Sequence, residues 1–158
     1  MNFESGRGGF TLVEAMIVIA IIGLLASIVV PSLRRVIINA NEGAIKSELH
    51  TFSFACEGYR ANANPPTYPT NIGALVTSAN PYLDASWLVT DRPRHGYNVS
   101  YATLASSYSL LATPADANRT AVNTYCVDQT GTIVGSVNGE DSPAGEATGC
   151  LGGTAIGG

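Results

Sequence analysis

The sequence predicts an α+β protein in which a long N-terminal helix packs, through its second half, against a small antiparallel sheet of three or four strands. Three observations support this fold class. Residues 10–30 contain no Asp, Lys, Arg or His, residues 32–62 repeat apolar side chains at helical spacing, and alternating runs typical of strands begin after Gly96. At about 1.5 Å per residue, the first run makes a helix of about 30 Å, which matches the hydrocarbon thickness of a bilayer.

Glu14 is the one acidic residue within this apolar run. A carboxylate inside the hydrocarbon layer costs about 2.5 kcal/mol or more on insertion scales. A buried charge is tolerated when it has a matched partner and is costly when it is alone. We therefore expect Glu14 to find a partner.

The residues before and around Phe10 are where a processing site is expected. Residues 1–9 are polar and glycine-rich, and no small-residue cleavage site of a secretory signal follows the apolar core. Gly9 followed by Phe-Thr-Leu-Val-Glu (residues 10–14) resembles the class III signal of type IV pilins and type II secretion pseudopilins. The resemblance extends through Gly23 to Pro31, and beyond residue 35 it is limited to the general layout.

The resemblance implies how the chain is processed and assembled. A prepilin peptidase would cut between Gly9 and Phe10, the new N-terminus on Phe10 would be N-methylated, and its amine would meet Glu14 of a neighbouring subunit. The chain would cross the inner membrane once with its N-terminus in the cytoplasm, surrounded by lipid. Inner-membrane machinery and minor pilins would then help identical subunits to form a helical homopolymer, an extracellular pilus.

Two other interpretations remain open at this point. A pseudopilin of a type II secretion system shares every N-terminal feature. An uncleaved signal anchor that tethers a periplasmic binding domain or adhesin, without polymerisation, also explains the hydrophobicity, but it leaves the Gly9–Phe10 junction and Glu14 unexplained.

The segment from Gly23 to Pro31 is expected to be a weak point of the helix. Proline removes one backbone donor and clashes with the preceding turn, and glycine is a poor helix former. In filaments of the family that the chain resembles, this segment is often unwound.

The second half of the helix has two different faces. One face carries an apolar stripe that we expect to pack on the sheet, formed by Ile38, Ile45, Leu49, Phe52, Cys56 and Tyr59. The opposite face is unusually small, which favours close approach between helices of neighbouring subunits, and it consists of Gly43, Ser47, Thr51, Phe54 and Gly58. Glu42 and Lys46 have the spacing of a solvated i,i+4 ion pair on the flank.

The rest of the chain is predicted to be a connection, a sheet and a loop. Two prolines end the helix after Asn62, and Tyr82, Leu83, Trp87 and Leu88 are candidates to hold the connection against the core. The predicted division is a leader (1–9), a membrane and filament-core helix (10–31) and a globular domain (32–158). The domain comprises a helix (32–62), a connecting loop (63–94), a sheet (95–136) and a C-terminal loop (137–158), whose last residues are expected to be mobile.

Three cysteines lie in the part expected outside the cytoplasm, where disulfides persist. Cys56 shares the apolar stripe, where a free thiol behaves as a small hydrophobe, and a Cys126–Cys150 bond would hold down a polar, glycine-rich loop. That pairing is also similar to the C-terminal disulfide-bounded region of many type IV pilins. Three pairings are possible, and Cys126 could instead face the helix and bond to Cys56.

Charge and motif content argue against other functions. The net charge is −4, and no basic cluster exceeds Arg34-Arg35, so we expect no intrinsic nucleic-acid binding. Neither His50 nor His95 belongs to a recognisable catalytic motif, so we expect a structural subunit without catalytic residues. The acidic residues near the C-terminus match no metal-binding loop, so we expect no metal or other cofactor.

Overall fold

The computed structural model describes residues 10–89, 92–137 and 139–156. The predicted leader and Gly9 lie outside the described residues. The chain divides into two compact units, Met1–Val36 and Ile37–Gly158, and helix α1 (Leu12–Asn62) contributes residues to both.

The part of α1 in the first unit is apolar and exposed. The helix is long and apolar enough to cross a membrane by length and composition. Its side chains from Leu12 to Val30 and from Ser32 to Val36 are exposed. In the part of the chain that the structure describes, residues 10–30 therefore present an exposed apolar surface.

The expected weak point between Gly23 and Pro31 is not a break in this structure, because α1 is continuous through both residues. The hydroxyls of Ser27 and Ser32 donate to the carbonyls of Leu24 and Val29 within this segment, at 2.7 and 2.8 Å. A side chain at Gly23 would meet no atom within 4 Å, so packing inside the chain does not require a glycine there. Unwinding of this segment in a filament stays a prediction.

The predicted α+β fold class is confirmed, and the core forms between the second half of α1 and the sheet. Ile45, Leu49, Phe52 and Cys56 on the predicted stripe have no exposed surface. Phe52 is central, because the rings of Trp87, Tyr101 and Tyr108 lie 5.2 to 6.2 Å from its own. Full burial of each such side chain contributes about 1.5–3 kcal/mol to folding.

The sheet has five antiparallel strands in the order β1-β2-β3-β4-β7. Its strands are β1 (Tyr97–Thr103), β2 (Tyr108–Pro114), β3 (Tyr125–Asp128), β4 (Ile133–Gly135) and β7 (Thr154–Ala155). The fifth strand was not predicted. The C-terminal residues that we expected to be mobile pair with β4, and the backbone N–H of Ile156 donates to the carbonyl of Ile133 at 2.9 Å.

The predicted C-terminal loop also contains structure. Strands β5 (Ala144–Glu146) and β6 (Gly149–Leu151) form a hairpin. Asp128 accepts a hydrogen bond from the backbone N–H of Cys150 at 3.0 Å, and Ser107 donates to the carbonyl of Ala147 at 2.8 Å. These polar contacts hold the hairpin against the sheet where apolar residues are few.

The connection after α1 contains the short helix α2 (Ile72–Val76) and a 3₁₀ helix (Ala85–Leu88). Asn71 and Asp84 cap their first turns through side-chain oxygens. Of the residues predicted to hold this connection, Leu83 and Trp87 are buried, Tyr82 is half-buried, and Leu88 is exposed.

The structure joins Cys126 to Cys150 by a disulfide and leaves Cys56 as a buried free thiol. Strand alternation explains this choice, because Tyr125 and Val127 point into the helix-facing core and Cys126, between them, points to the other face. Burial raises the pKa of the Cys56 thiol, which keeps it protonated.

Replacing both bonded cysteines, Cys126→Ser with Cys150→Ser, should lower the free energy of unfolding by about 3 kcal/mol, because the closed loop no longer restricts the unfolded chain. Urea unfolding followed by circular dichroism measures this loss. Peptide mapping of the unreduced parent protein is the control, and a peptide linked through Cys56 would contradict the assignment.

Candidate functional site

The start of α1 forms a capping box at the predicted processing and assembly motif. Glu14 accepts hydrogen bonds from the backbone N–H and the hydroxyl of Thr11, at 3.1 and 3.0 Å. In return, the backbone N–H of Glu14 donates to the Thr11 hydroxyl at 3.2 Å. Thr11 and Glu14 are three residues apart, which is the spacing of the Ser/Thr-x-x-Glu capping box.

The capping box gives Glu14 a partner within its own chain. This role was not predicted from the sequence, although the Thr-Leu-Val-Glu spacing contains the signal. Phe10, one residue before the box, is 80% exposed. Pairing of the Phe10 amine with Glu14 of another subunit stays a prediction, and the Gly9 side of the cleavage junction is not described.

Most of the small-residue face of α1 is exposed to solvent. Gly43, Ser47 and Thr51 are exposed, and Phe54 is 76% exposed. A side chain at Gly43 would meet no atom within 4 Å.

Gly58 does not share this exposed surface, contrary to the sequence prediction. A Cβ atom at Gly58 would lie 3.1 Å from the ring of Tyr82. Tyr82 packs edge-on against Tyr59 of the helix, with ring centroids 6.0 Å apart. Gly58 therefore serves packing inside the subunit.

Glu42 connects α1 to the segment between β2 and β3. Its carboxylate accepts four hydrogen bonds, from the backbone N–H groups of Val122 and Asn123, the Asn123 side-chain amide and the Tyr125 hydroxyl, at 2.9 to 3.1 Å. Burial opposes ionisation of this carboxyl, but these donors outweigh burial and hold the pKa of Glu42 below its ordinary value.

The solvated Glu42–Lys46 pair predicted from the sequence is therefore wrong. Lys46 instead lies over the ring of Tyr125, with its Nζ atom 4.9 Å from the ring centroid. Both side chains turn toward β3, and sequence spacing alone could not reveal their long-range partners.

A second group of charged residues is held together by Glu48. Arg94 bonds to Glu48 and stacks on Trp87 at 4.1 Å, and His95 Nε2 lies 3.0 Å from the second oxygen of Glu48. Within residues 10–89, 92–137 and 139–156, no group of three His, Cys, Asp or Glu side chains could hold a metal ion.

Comparisons with known proteins agree with these features. Residues 5–30 match the model of the prokaryotic N-terminal methylation motif. Type II secretion system core protein G of Klebsiella pneumoniae is 40% identical over 109 residues, which cover 66% of this chain and 74% of that protein. The same protein of Klebsiella michiganensis is 35% identical over 98 residues, covering 61% of this chain and 66% of the relative. No solved structure matches the chain.

A long apolar helix that begins at an N-terminal methylation motif and continues into a helix-on-sheet domain defines a pilin-like subunit. The chain belongs to the family of type IV pilins and type II secretion pseudopilins. It is a subunit of a pilin-like filament.

Glu42→Gln should destabilise the subunit by about 1–3 kcal/mol at pH 7, because the new amide faces donors that then lack an acceptor. The depressed pKa adds a pH dependence. The carboxylate stabilises the fold fully above the unfolded-state pKa, about pH 4, and this contribution is lost as pH falls through the folded-state pKa. Urea unfolding at pH 7 and at pH 3 checks both effects.

The exposed carboxyl of Glu140 provides the matched control for this measurement. Glu140→Gln should leave the stability and its pH dependence close to those of the parent. The assignment fails if Glu42→Gln loses as much stability on acidification as the parent does.

Proposed function

We propose that the chain is the repeating subunit of its filament, that it polymerises through the apolar part of α1, and that cleavage between Gly9 and Phe10 precedes assembly. The observation that carries this proposal is the exposed apolar surface of residues 10–30, which lies within the stretch that matches the N-terminal methylation motif. The role is structural and involves no catalysis.

The apolar surface of residues 10–30 needs an apolar environment both before and after assembly. Before assembly, lipid covers residues 10–30, and the helix crosses the inner membrane once with its N-terminus in the cytoplasm. After assembly, the helices of neighbouring copies cover the same surface. Prepilin peptidase, inner-membrane assembly machinery and minor subunits of the same family are the partners that this route requires.

Between the two branches of the family, the relatives favour a type II secretion pseudopilin, because the matched curated proteins are secretion core proteins. A second observation favours a type IV pilus. The Cys126–Cys150 bond closes the C-terminal region, which is the pairing that the resemblance to type IV pilins implies.

Deletion of the gene for this protein, followed by two assays, distinguishes a type II secretion pseudopilin from a type IV pilin. Loss of protein export with no change in surface filaments supports the pseudopilin. Loss of surface filaments in which this chain is the bulk protein supports the pilus.

Replacement of Glu14 tests whether its charge acts between subunits. Glu14→Ala removes both the charge and the capping box, whereas Glu14→Gln keeps a capping-box residue and removes only the charge. We expect both variants to insert and be cleaved, and both to lose most filament yield, because the Phe10 amine of a neighbour loses its partner. Sheared filaments quantified by immunoblot measure the yield. A normal filament yield from Glu14→Gln would mean that Glu14 acts only in the capping box of its own chain.

Replacement of Gly43 tests the exposed helix face. Gly43→Leu should keep or slightly raise subunit stability, since leucine favours helix by about 0.8 kcal/mol over glycine, while it reduces filament yield by blocking close approach.

Gly58→Leu is the matched control for Gly43→Leu, because it should clash with Tyr82 and destabilise the isolated subunit. Thermal unfolding of the subunit and filament yield are measured for both variants. If Gly43→Leu unfolds as readily as Gly58→Leu, the exposed face is needed for the stability of the subunit itself, and the test gives no support to a role in packing between subunits.

A further inference from the structure

The contacts at Asn41 and Glu42 have a special position along α1. No described residue between 16 and 40 hydrogen-bonds outside the helix, whereas Asn41 donates to the carbonyl of Thr120 at 2.8 Å and Glu42 accepts its four bonds. Full burial of apolar helix residues begins only at Ile45. Starting from the N-terminal end of α1, these two residues are therefore the first that bond to the rest of the domain.

The segment that they hold, residues 120–125, is hydrogen-bonded to residues next to two different strands of the sheet, β1 and β4. Thr120 donates through its hydroxyl to the carbonyl of Gly96, just before β1, at 2.8 Å. Thr124 donates through its backbone N–H to the hydroxyl of Ser136, just after β4, at 2.9 Å. A force that reaches this segment is thus shared between β1 and β4.

We infer that Glu42, with Asn41, is a mechanical anchor that transmits tension from the N-terminal part of α1 to the sheet and delays separation of the two under load. The inference rests on the proposed polymerisation through α1, because a filament held together by its helices carries each sheet through this connection. The anchor is polar, and its hydrogen bonds are short-ranged. They resist a small displacement of the helix, whereas apolar contacts such as Ile45 allow sliding because they have no fixed direction.

A pulling experiment on single subunits tests the anchor without any filament, so its failure is distinguishable from a failure of the proposed function. The full chain in detergent micelles receives DNA handles at two introduced thiols, and Cys56 does not react because it is buried. One axis loads the helix against the sheet, with Val36→Cys and Thr132→Cys. The second axis loads the sheet alone, with Leu104→Cys and Thr132→Cys.

On the helix–sheet axis, Glu42→Gln should raise the unfolding rate at a fixed force by about tenfold. On the sheet-only axis, the same substitution should change the rate by less than about twofold, because the path of the force does not include Glu42. Glu140→Gln, which alters an exposed carboxyl, should change neither rate.

Two outcomes would overturn the inference. An equal rise of the unfolding rate on both axes would mean that Glu42 only adds general stability. No rise on the helix–sheet axis would mean that the apolar core starting at Ile45 carries the load by itself. Asn41→Ala provides a second test, since it removes one bond to Thr120 and should give a smaller rise, confined to the helix–sheet axis.

Discussion

The exposed apolar surface of residues 10–30 is the constraint on which the rest of this structure depends. Water cannot accept the side chains of residues 10–30 at low cost, so the segment needs lipid or other copies of itself. Polymerisation then requires no new kind of contact, because one apolar environment replaces another. The one carboxylate of this segment lies at the start of the helix, where Glu14 is hydrogen-bonded to Thr11.

The second half of the same helix solves a different problem. It packs against the sheet on one side and is exposed on the other, and its residues divide accordingly. Leu49 and Phe52 are buried in the core, while Ser47 and Thr51 are exposed. Burial of the apolar stripe stabilises the packing of the helix on the sheet. The directional hydrogen bonds that Glu42 accepts define the position along the helix at which the sheet is held.

Much of the architecture was accessible from the sequence, because apolar periodicity reports directly on buried faces. The stripe from Ile45 to Cys56 and the existence of an antiparallel sheet follow from such patterns. The partners of Glu42 did not follow, since Val122 and Tyr125 lie about eighty residues away and no local spacing links them. The pairing of β7 was missed for a related reason. Glycine-rich ends look mobile in sequence, and only the neighbouring β4 supplies the hydrogen bonds that order them.

The position of β7 affects how readily the sheets of neighbouring subunits can pair edge to edge. An uncovered strand edge offers a row of free amide and carbonyl groups to any other strand nearby, and in a filament many copies of the same edge stand close together. Thr154 and Ala155 occupy these groups along Gly135 and Val134. The edge of the sheet is therefore the two-residue β7 instead of β4, and so short a strand offers few free backbone groups to the edge of a neighbouring copy.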